Sequence, residues 1–171
     1  MTKMTSAYAN KMLRRLSEDK EFYRRKEAEG CTYVATIEEE PVIPEYDYAK
    51  TAALIEEIDE KIVKIKHAIN LANLTNEIEV GDVRMTADQI LIRMAQLNKR
   101  KSILDMMRKM EPQSRVGTVN YSTRRPVPEY RYINYDLETV KADYDRIDAQ
   151  LYQMQLALDK YNQTIEFDVD L

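Results

Sequence analysis

The sequence predicts a mainly α-helical protein: a four-helix bundle of two helical-hairpin repeats with long heptad-patterned helices, plus a small β-hairpin or a three-stranded sheet. Three observations predict this class. The chain has 171 residues but only three Gly and five Pro, too few for a turn-rich β-sandwich. Its apolar residues recur at alternating steps of three and four, the period of one helix face. The pattern of the first half of the chain also returns in the second half.

Two helices are predicted in the first half of the chain. The first covers about residues 5–29, and its apolar face comprises Tyr8, Met12, Leu13, Leu16 and Tyr23. The second follows Asp47, which stands where an N-cap belongs. Its stripe comprises Ile55, Ile58, Ile62, Ile65, Ile69 and Ala72. It runs for about 27 residues, roughly 40 Å at the rise of an α-helix.

A β-hairpin and a third helix are predicted next. Apolar residues alternate on both sides of Gly81-Asp82, and this alternation predicts two short strands around a turn. Thr86 and Gln89 form a capping box for a helix that ends near Met110. The apolar face of that helix is predicted to comprise Ile90, Met94, Leu97 and Leu104, widened by Ile92, Ile103 and Met106.

The last helix follows Asp136 as its N-cap. Its heptad-like stripe comprises Leu137, Val140, Tyr144, Ile147, Leu151, Met154, Leu158 and Tyr161. The tail after it alternates at Ile165, Phe167 and Val169, so it could add a third strand to the hairpin.

The internal repeat organises these elements into a single domain over residues 1–171. Its halves are residues 1–80 and 86–171, joined by a turn at 81–85. Residues 46–80 match residues 135–169 at Tyr46 and Tyr135 and at several later positions. The leading helices share the pattern Ala-x-x-Asn-Lys at residues 7–11 and 95–99. Each long helix ends in an Asn-x-Thr corner, for which helix termination is the expected role; the corner residues are Asn73, Thr75, Asn162 and Thr164.

Composition excludes several kinds of chemistry. Cys31 and His67 are the only residues of their types, which excludes a disulfide framework within the chain and a multi-histidine metal site. Three glycines cannot form a dinucleotide or Walker loop. Asp59 and Asp148 recur in the repeat and could hold a cation, although an ion-paired helix face is the simpler expectation. We therefore expect no enzyme, no cofactor, no metal and no small-molecule substrate.

Charge is segregated along the chain behind a net charge of −4. Residues 27–60 hold eleven acids and one base, whereas residues 84–131 hold eleven bases and four acids. Basic residues interleaved with tyrosines could bind a phosphate backbone, or they could face the acidic segments of the same chain or of a neighbouring subunit. The candidate nucleic-acid-binding residues are Lys99, Arg100, Lys101, Arg124, Arg125 and Arg131.

The sequence from about residue 40 to residue 171 resembles the septicolysin-like family of small bacterial helical proteins. The resemblance lies in Ile69-Asn70-Leu71-Ala72-Asn73-Leu74-Thr75, the Gly81-Asp82 turn, Met85-Thr86-Ala87-Asp88 and the terminal Tyr161-Asn162-Gln163-Thr164. Here Thr75 follows Asn73 by two residues and not three, and Gln163 stands where the family often has Trp. The resemblance implies a helical fold, and the family name implies a lytic activity.

These patterns lead to three functional hypotheses. The first is a non-enzymatic scaffold or interaction protein that self-assembles as a homo-oligomer or binds another protein. It would be cytoplasmic and outside membranes, because the sequence has no apolar run long enough to span one and no signal-peptide pattern. The second is a nucleic-acid-binding module, and the third is a septicolysin-like lytic or metal-dependent activity. The residues predicted for assembly are Tyr144, Ile147, Leu151, Met154, Leu158, Tyr161, Ile58, Ile62 and Ile65.

Overall fold

The structure is a computed structural model that describes residues 1–116 and 128–171. It confirms the predicted class, because the chain is mainly helical and carries small antiparallel sheets. The described helices are α1 (Ser6–Gly30), α2 (Tyr48–Thr75), α3 (Ala87–Arg108) and α4 (Leu137–Thr164).

The predicted caps begin three of these helices. The carboxylates of Asp47 and Asp136 each accept a hydrogen bond from the backbone N–H three residues later. Thr86 and Gln89 form the complete capping box. First-turn N–H groups have no partner inside a helix, so these side chains supply one. Because capping is local, residue spacing was enough to predict these three starts.

Six short strands accompany the helices within the described residues. They are β1 (Thr2–Thr5), β2 (Glu77–Val80), β3 (Val83–Thr86), β4 (Gln113–Arg115), β5 (Tyr130–Tyr132) and β6 (Glu166–Val169). They pair as three two-stranded sheets, β1 with β6, β2 with β3, and β4 with β5. Strands β2 and β3 form the predicted hairpin, in which Gly81 has a φ of 60°. That left-handed backbone conformation suits glycine because it has no Cβ.

The predicted alternative of a three-stranded sheet, in which the tail joins the hairpin, is wrong. Strand β6 pairs antiparallel with β1 and not with the hairpin, so that Thr2 lies opposite Val169 and Met4 opposite Phe167. Strand β1 has only four residues, which are too few to reveal the alternating apolar pattern of a strand. They form a strand because the distant tail is there to pair with them.

The described chain divides into two compact units. Unit 1 comprises residues 1–78 and 158–171, and unit 2 comprises residues 79–157, so α4 contributes to both. In unit 1, α1 and α2 run antiparallel, and the Lys20 Nζ atom lies 2.6 Å from the Asp59 carboxylate. A buried cluster of Met4, Ala9, Ile65 and Val169 packs beside them. The two ends of the chain therefore complete the core of unit 1.

In unit 2, α3 and residues 137–157 of α4 also run antiparallel. Lys101 Nζ lies 2.5 Å from Asp148 Oδ1, and the Arg108 guanidinium lies 3.9 Å above the centre of the Tyr144 ring. This stacked contact is a cation–π interaction. At the end of the pair, the Tyr135 hydroxyl donates to the backbone carbonyl of Met107 at 2.7 Å.

Two features recur in both units. The paired lysines, Lys20 and Lys101, are 81 residues apart, as are the N-cap residues Thr5 and Thr86. Both of these pairs therefore have the same offset of 81 residues. The shared Ala-x-x-Asn-Lys pattern implies an offset of 88. It begins at different positions along the two helices, because Ala7 is the second residue of α1 and Ala95 is the ninth residue of α3. That pattern does not mark equivalent helix positions.

Helix α3 has two apolar faces and not the single widened face that the sequence predicts. Its buried face comprises Ile90, Leu97 and Leu104. The residues predicted to widen this face lie about half a turn away around the helix. These residues, Ile92, Ile103 and Met106, remain exposed, and so does Met110. We call Ile92, Ile103 and Met106, together with Met110 two residues beyond the end of the helix, the outer stripe of α3.

Candidate interaction surfaces

Most residues predicted for assembly are used inside the folded chain. Seven of the nine are at most 8% exposed, namely Ile58, Ile65, Ile147, Leu151, Met154, Leu158 and Tyr161. Ile62 is half-buried, and Tyr144 is half-buried under Arg108. These residues are therefore not free for a contact between copies, and the exposed apolar residues include the outer stripe of α3.

The predicted basic residues are not equivalent. Lys101 is engaged by Asp148, and hydrogen bonding to that carboxylate raises the pKa of the Lys101 ammonium. Lys99, Arg100 and Arg131 are exposed, and no ion pair within the described residues involves them. Arg124 and Arg125 lie outside the described residues. The structure thus brings Lys99 and Arg100 together on α3 and places Arg131 on β5.

The Asn-x-Thr corners end the two long helices. The hydroxyls of Thr75 and Thr164 donate to carbonyls four residues earlier in the same helix, at 2.9 and 2.7 Å. Asn73 and Asn162 are half-buried. The hydroxyl bonds are local side-chain-to-backbone bonds at a helix end. They give the two threonines a structural role.

The recurring aspartates lie beside lysines. Asp59 is paired with Lys20 and Asp148 with Lys101, so each carboxylate already has a cationic partner. In residues 1–116 and 128–171, no group of three or more His, Cys, Asp or Glu side chains is arranged to hold a metal ion. Cys31 and His67 are both exposed on different elements.

An open groove of about 570 Å³ runs beside the Lys101–Asp148 ion pair in unit 2. Its polar groups come mainly from this pair and from Asn98 and Asp145. Because Lys101 and Asp148 neutralise each other, the groove offers no concentrated charge of one sign.

The connection between α1 and α2 is an exposed acidic segment. It contains Glu38, Glu39, Glu40 and Glu45 and no basic residue between Cys31 and Tyr46. Its apolar residues are also exposed, and Val34 and Val42 are at least 90% exposed. We call residues 31–45 the acidic loop.

The connection between α3 and α4 contains the two-stranded sheet of β4 and β5, which we call the ribbon. Arg115 lies opposite Tyr130, and Ser114 lies opposite Arg131. Residues directly opposite each other share a face, so Arg115, Tyr130 and Tyr132 lie on one face and Arg131 on the other. All four residues are exposed. The sequence predicted a linker here, because each strand is only three residues long and is recognisable only by its pairing.

Comparison with known proteins shows only the class of fold. No family model matches the sequence, and no curated protein is similar to it. Among solved structures, the chain is similar to one titled "Crystal structure of a functionally unknown conserved protein from Corynebacterium diphtheriae". The two share 14% identity and a TM-score of 0.62, over 98% of this chain and 100% of that one.

This likeness shows a shared fold and nothing about activity, because the sequence identity is low. The septicolysin-like resemblance is not tested by it and stays a prediction. No helix in the described part of the chain is long and apolar enough to cross a membrane.

Proposed function

We propose that this chain is a non-enzymatic, cytoplasmic helical interaction protein that self-assembles, with its two hairpin repeats forming a four-helix bundle. The observation that carries the proposal is the outer stripe of α3. Leu104 is 1% exposed, whereas its neighbour Ile103 is 47% exposed and Met106 is 56% exposed. A helix that is apolar on two sides is typical of a helix packed on two sides.

The exposed apolar side chains of the outer stripe support burial against another protein surface. Burying apolar surface contributes roughly 25 cal/mol per Å², and the outer stripe leaves such surface in water at Ile92 and, beyond the polar Gln96 and Lys99, at Ile103 and Met106. Contiguous exposed apolar surface on a folded domain often marks a protein interaction site. The segregated charges add to this, because an acidic region of one copy can meet a basic region of another.

The test is the oligomeric mass of the full chain by gel filtration with light scattering over a range of concentrations. We expect an oligomer whose mass falls to that of a monomer in the variant Ile103→Glu. Val63→Glu is the matched control, since Val63 is 66% exposed on α2 and lies outside the outer stripe. A monomer at every concentration in the unchanged chain would contradict the proposal.

A second candidate function is nucleic-acid binding, and the ribbon is the observation that favours it. Exposed tyrosine rings beside arginines can stack on bases while the guanidinium groups meet phosphates. Tyr130 and Tyr132 share one face of the ribbon with Arg115, and Arg131 lies on the opposite face of the same exposed strand. The test is fluorescence anisotropy with a single-stranded oligonucleotide, for which we expect binding that weakens steeply with salt. Unchanged binding in Arg131→Ala would count against this role of the ribbon.

A further inference from the structure

The acidic loop is longer than the hairpin of α1 and α2 requires. A Cβ atom placed on Gly30 would lie 2.7 Å from the Cβ atom of Tyr46, so the chain leaves and returns at the same point. Helix–helix connections in bundles typically need about 2–8 residues, whereas residues 31–47 make up this one, and the acidic loop is most of it. Long connections with close ends are frequently functional.

The acidic loop leaves both its apolar and its charged groups in water. Val34, Ile37, Val42 and Ile43 are all exposed. No ion pair among the described residues involves Glu38–Glu40. A segment outside any helix or strand that mixes β-branched and acidic residues is suited to pairing with a sheet edge of opposite charge.

The ribbon offers such an edge. Two backbone hydrogen bonds flank the ribbon, from Val116 N–H to the Glu129 carbonyl and from Ile133 N–H to the Pro112 carbonyl. They show that the pairs 116–129 and 112–133 are hydrogen-bonded pairs. Bonded and non-bonded pairs alternate along antiparallel strands. Tyr130 and Tyr132 therefore direct their backbone N–H and C=O groups outward. Among residues 1–116 and 128–171, no third strand pairs with this edge.

The charges of the ribbon complement those of the acidic loop. Arg115 and Arg131 are exposed, and neither forms an ion pair within the described part of the chain. The acidic loop has glutamates and no bases over residues 32–45. An open strand edge, two arginines and two tyrosines thus match an exposed segment with carboxylates and β-branched side chains.

We infer that the acidic loop of one copy docks on the ribbon of a second copy, with residues 33–37 pairing along β5 as a third strand. Charge complementarity between the loop and the ribbon is the argument for a second copy of this chain as the occupant. This inference rests on the proposed self-assembly and names one of its contacts. Strand addition supplies backbone hydrogen bonds, and opposite charge supplies the choice of partner.

The first test uses a fluorescent peptide of residues 31–45 and the full-length chain. We expect saturable binding that weakens about tenfold or more between low and high salt, since exposed charges are screened. The variant Arg115→Glu with Arg131→Glu should lose about tenfold or more in affinity. Lys66→Glu, an exposed change on α2, should leave affinity unchanged. A peptide with lysines at positions 38–40 should restore binding to the arginine variant.

The second test concerns the backbone edge. The Tyr132 N–H points outward, so Tyr132→Pro removes a donor from the edge without removing a bond inside the ribbon. We expect Tyr132→Pro to bind the peptide more weakly than the side-chain control Tyr132→Ala. Equal affinities would contradict pairing along β5.

The outcomes separate this inference from the proposed function. If the chain self-assembles but does not bind the peptide, the inference is overturned and the proposed function stands. The same conclusion follows if replacing residues 34–43 by a short Gly-Ser linker leaves the oligomer intact while Ile103→Glu disrupts it. A chain that is monomeric at every concentration overturns both. An oligonucleotide that binds the ribbon when the peptide does not also overturns the inference.

Discussion

Gly30 is the last residue of α1, and the side chain of Tyr46 packs against it. The Tyr46 hydroxyl lies 3.2 Å from a Glu27 carboxylate oxygen. Desolvation of the half-buried ring raises the pKa of Tyr46, and the neighbouring Glu27 raises it further. At this scale a single missing Cβ lets Tyr46, two residues before α2, pack against the end of α1. The sequence contains the glycine but not the identity of the residue that packs against it.

We expect Gly30→Ala to lower the free energy of unfolding. The added Cβ would lie 2.7 Å from the Cβ of Tyr46, which is too close for ordinary packing. Overpacking typically costs about 1–3 kcal/mol, and the gain in helix propensity offsets about 1 kcal/mol of that. Urea unfolding measures the difference. Glu29→Ala, an exposed change one residue earlier, is the control, and equal stability of the two variants would show that the contact is not tight.

The cap of α4 should make stability depend on pH. Hydrogen bonds from the Thr139 hydroxyl and backbone N–H lower the pKa of Asp136. The ionised cap therefore adds stability above the unfolded pKa of Asp, near 3.9, and this stability is lost as pH falls through the lower folded value. We expect Asp136→Asn to melt below the unchanged chain at neutral pH and to approach it in acid.

Thermal unfolding from about pH 2 to pH 7 measures this difference, over the range in which Asp titrates. Thr139→Ala is the companion variant, because it removes the largest cause of the shift and should raise the pKa of Asp136 toward its ordinary value. A melting difference that is the same at all pH values would contradict the charge argument.

At the scale of an element, α3 shows what helical periodicity can and cannot predict. Its start at Thr86 and its buried residues Ile90, Leu97 and Leu104 follow from spacing alone. Ile92, Ile103 and Met106 have the same apolar character, but they lie on the other side of the helix. Composition cannot decide whether these three residues join the buried face or stay in water, because their apolar character is the same in both cases.

Neighbouring positions on α3 should respond differently to truncation. Leu104→Ala removes a side chain that is 1% exposed, so we expect a loss of about 2–5 kcal/mol from transfer and cavity terms. Ile103→Ala should cost less than about 1 kcal/mol, as surface changes usually do. Chemical denaturation of both variants, at a concentration where the chain is monomeric, measures the contrast. Similar losses at the two positions would mean that Ile103 is also part of the core.

At the scale of the whole molecule, the two ends of the chain belong to one core. Strands β1 and β6 pair residue by residue, and Met4 and Val169 are 2% and 1% exposed in the same cluster. Contacts at such sequence separation pay a large loop-closure entropy. They hold because burial of the cluster and the strand ladder offset it together.

Removing either end should therefore destabilise unit 1 by the same route. We expect deletion of residues 166–171 and deletion of residues 1–5 each to lower the melting temperature. Deleting both should cost less than the sum, because either deletion alone removes the same strand pair. Deletion of residues 170–171, which are exposed, is the control. Strict additivity would show that the two ends stabilise the chain independently.

The sequence by itself determined the four helices and three of their N-caps, because helix period and capping depend on residues within a few positions of each other. It also determined the Gly81-Asp82 hairpin. Only the tertiary structure decided that the tail pairs with β1, that β4 and β5 form a ribbon, and that Ile103 faces outward. These features depend on which distant segments pack together, since strands of three or four residues and apolar stripes of equal character acquire their roles only from a partner.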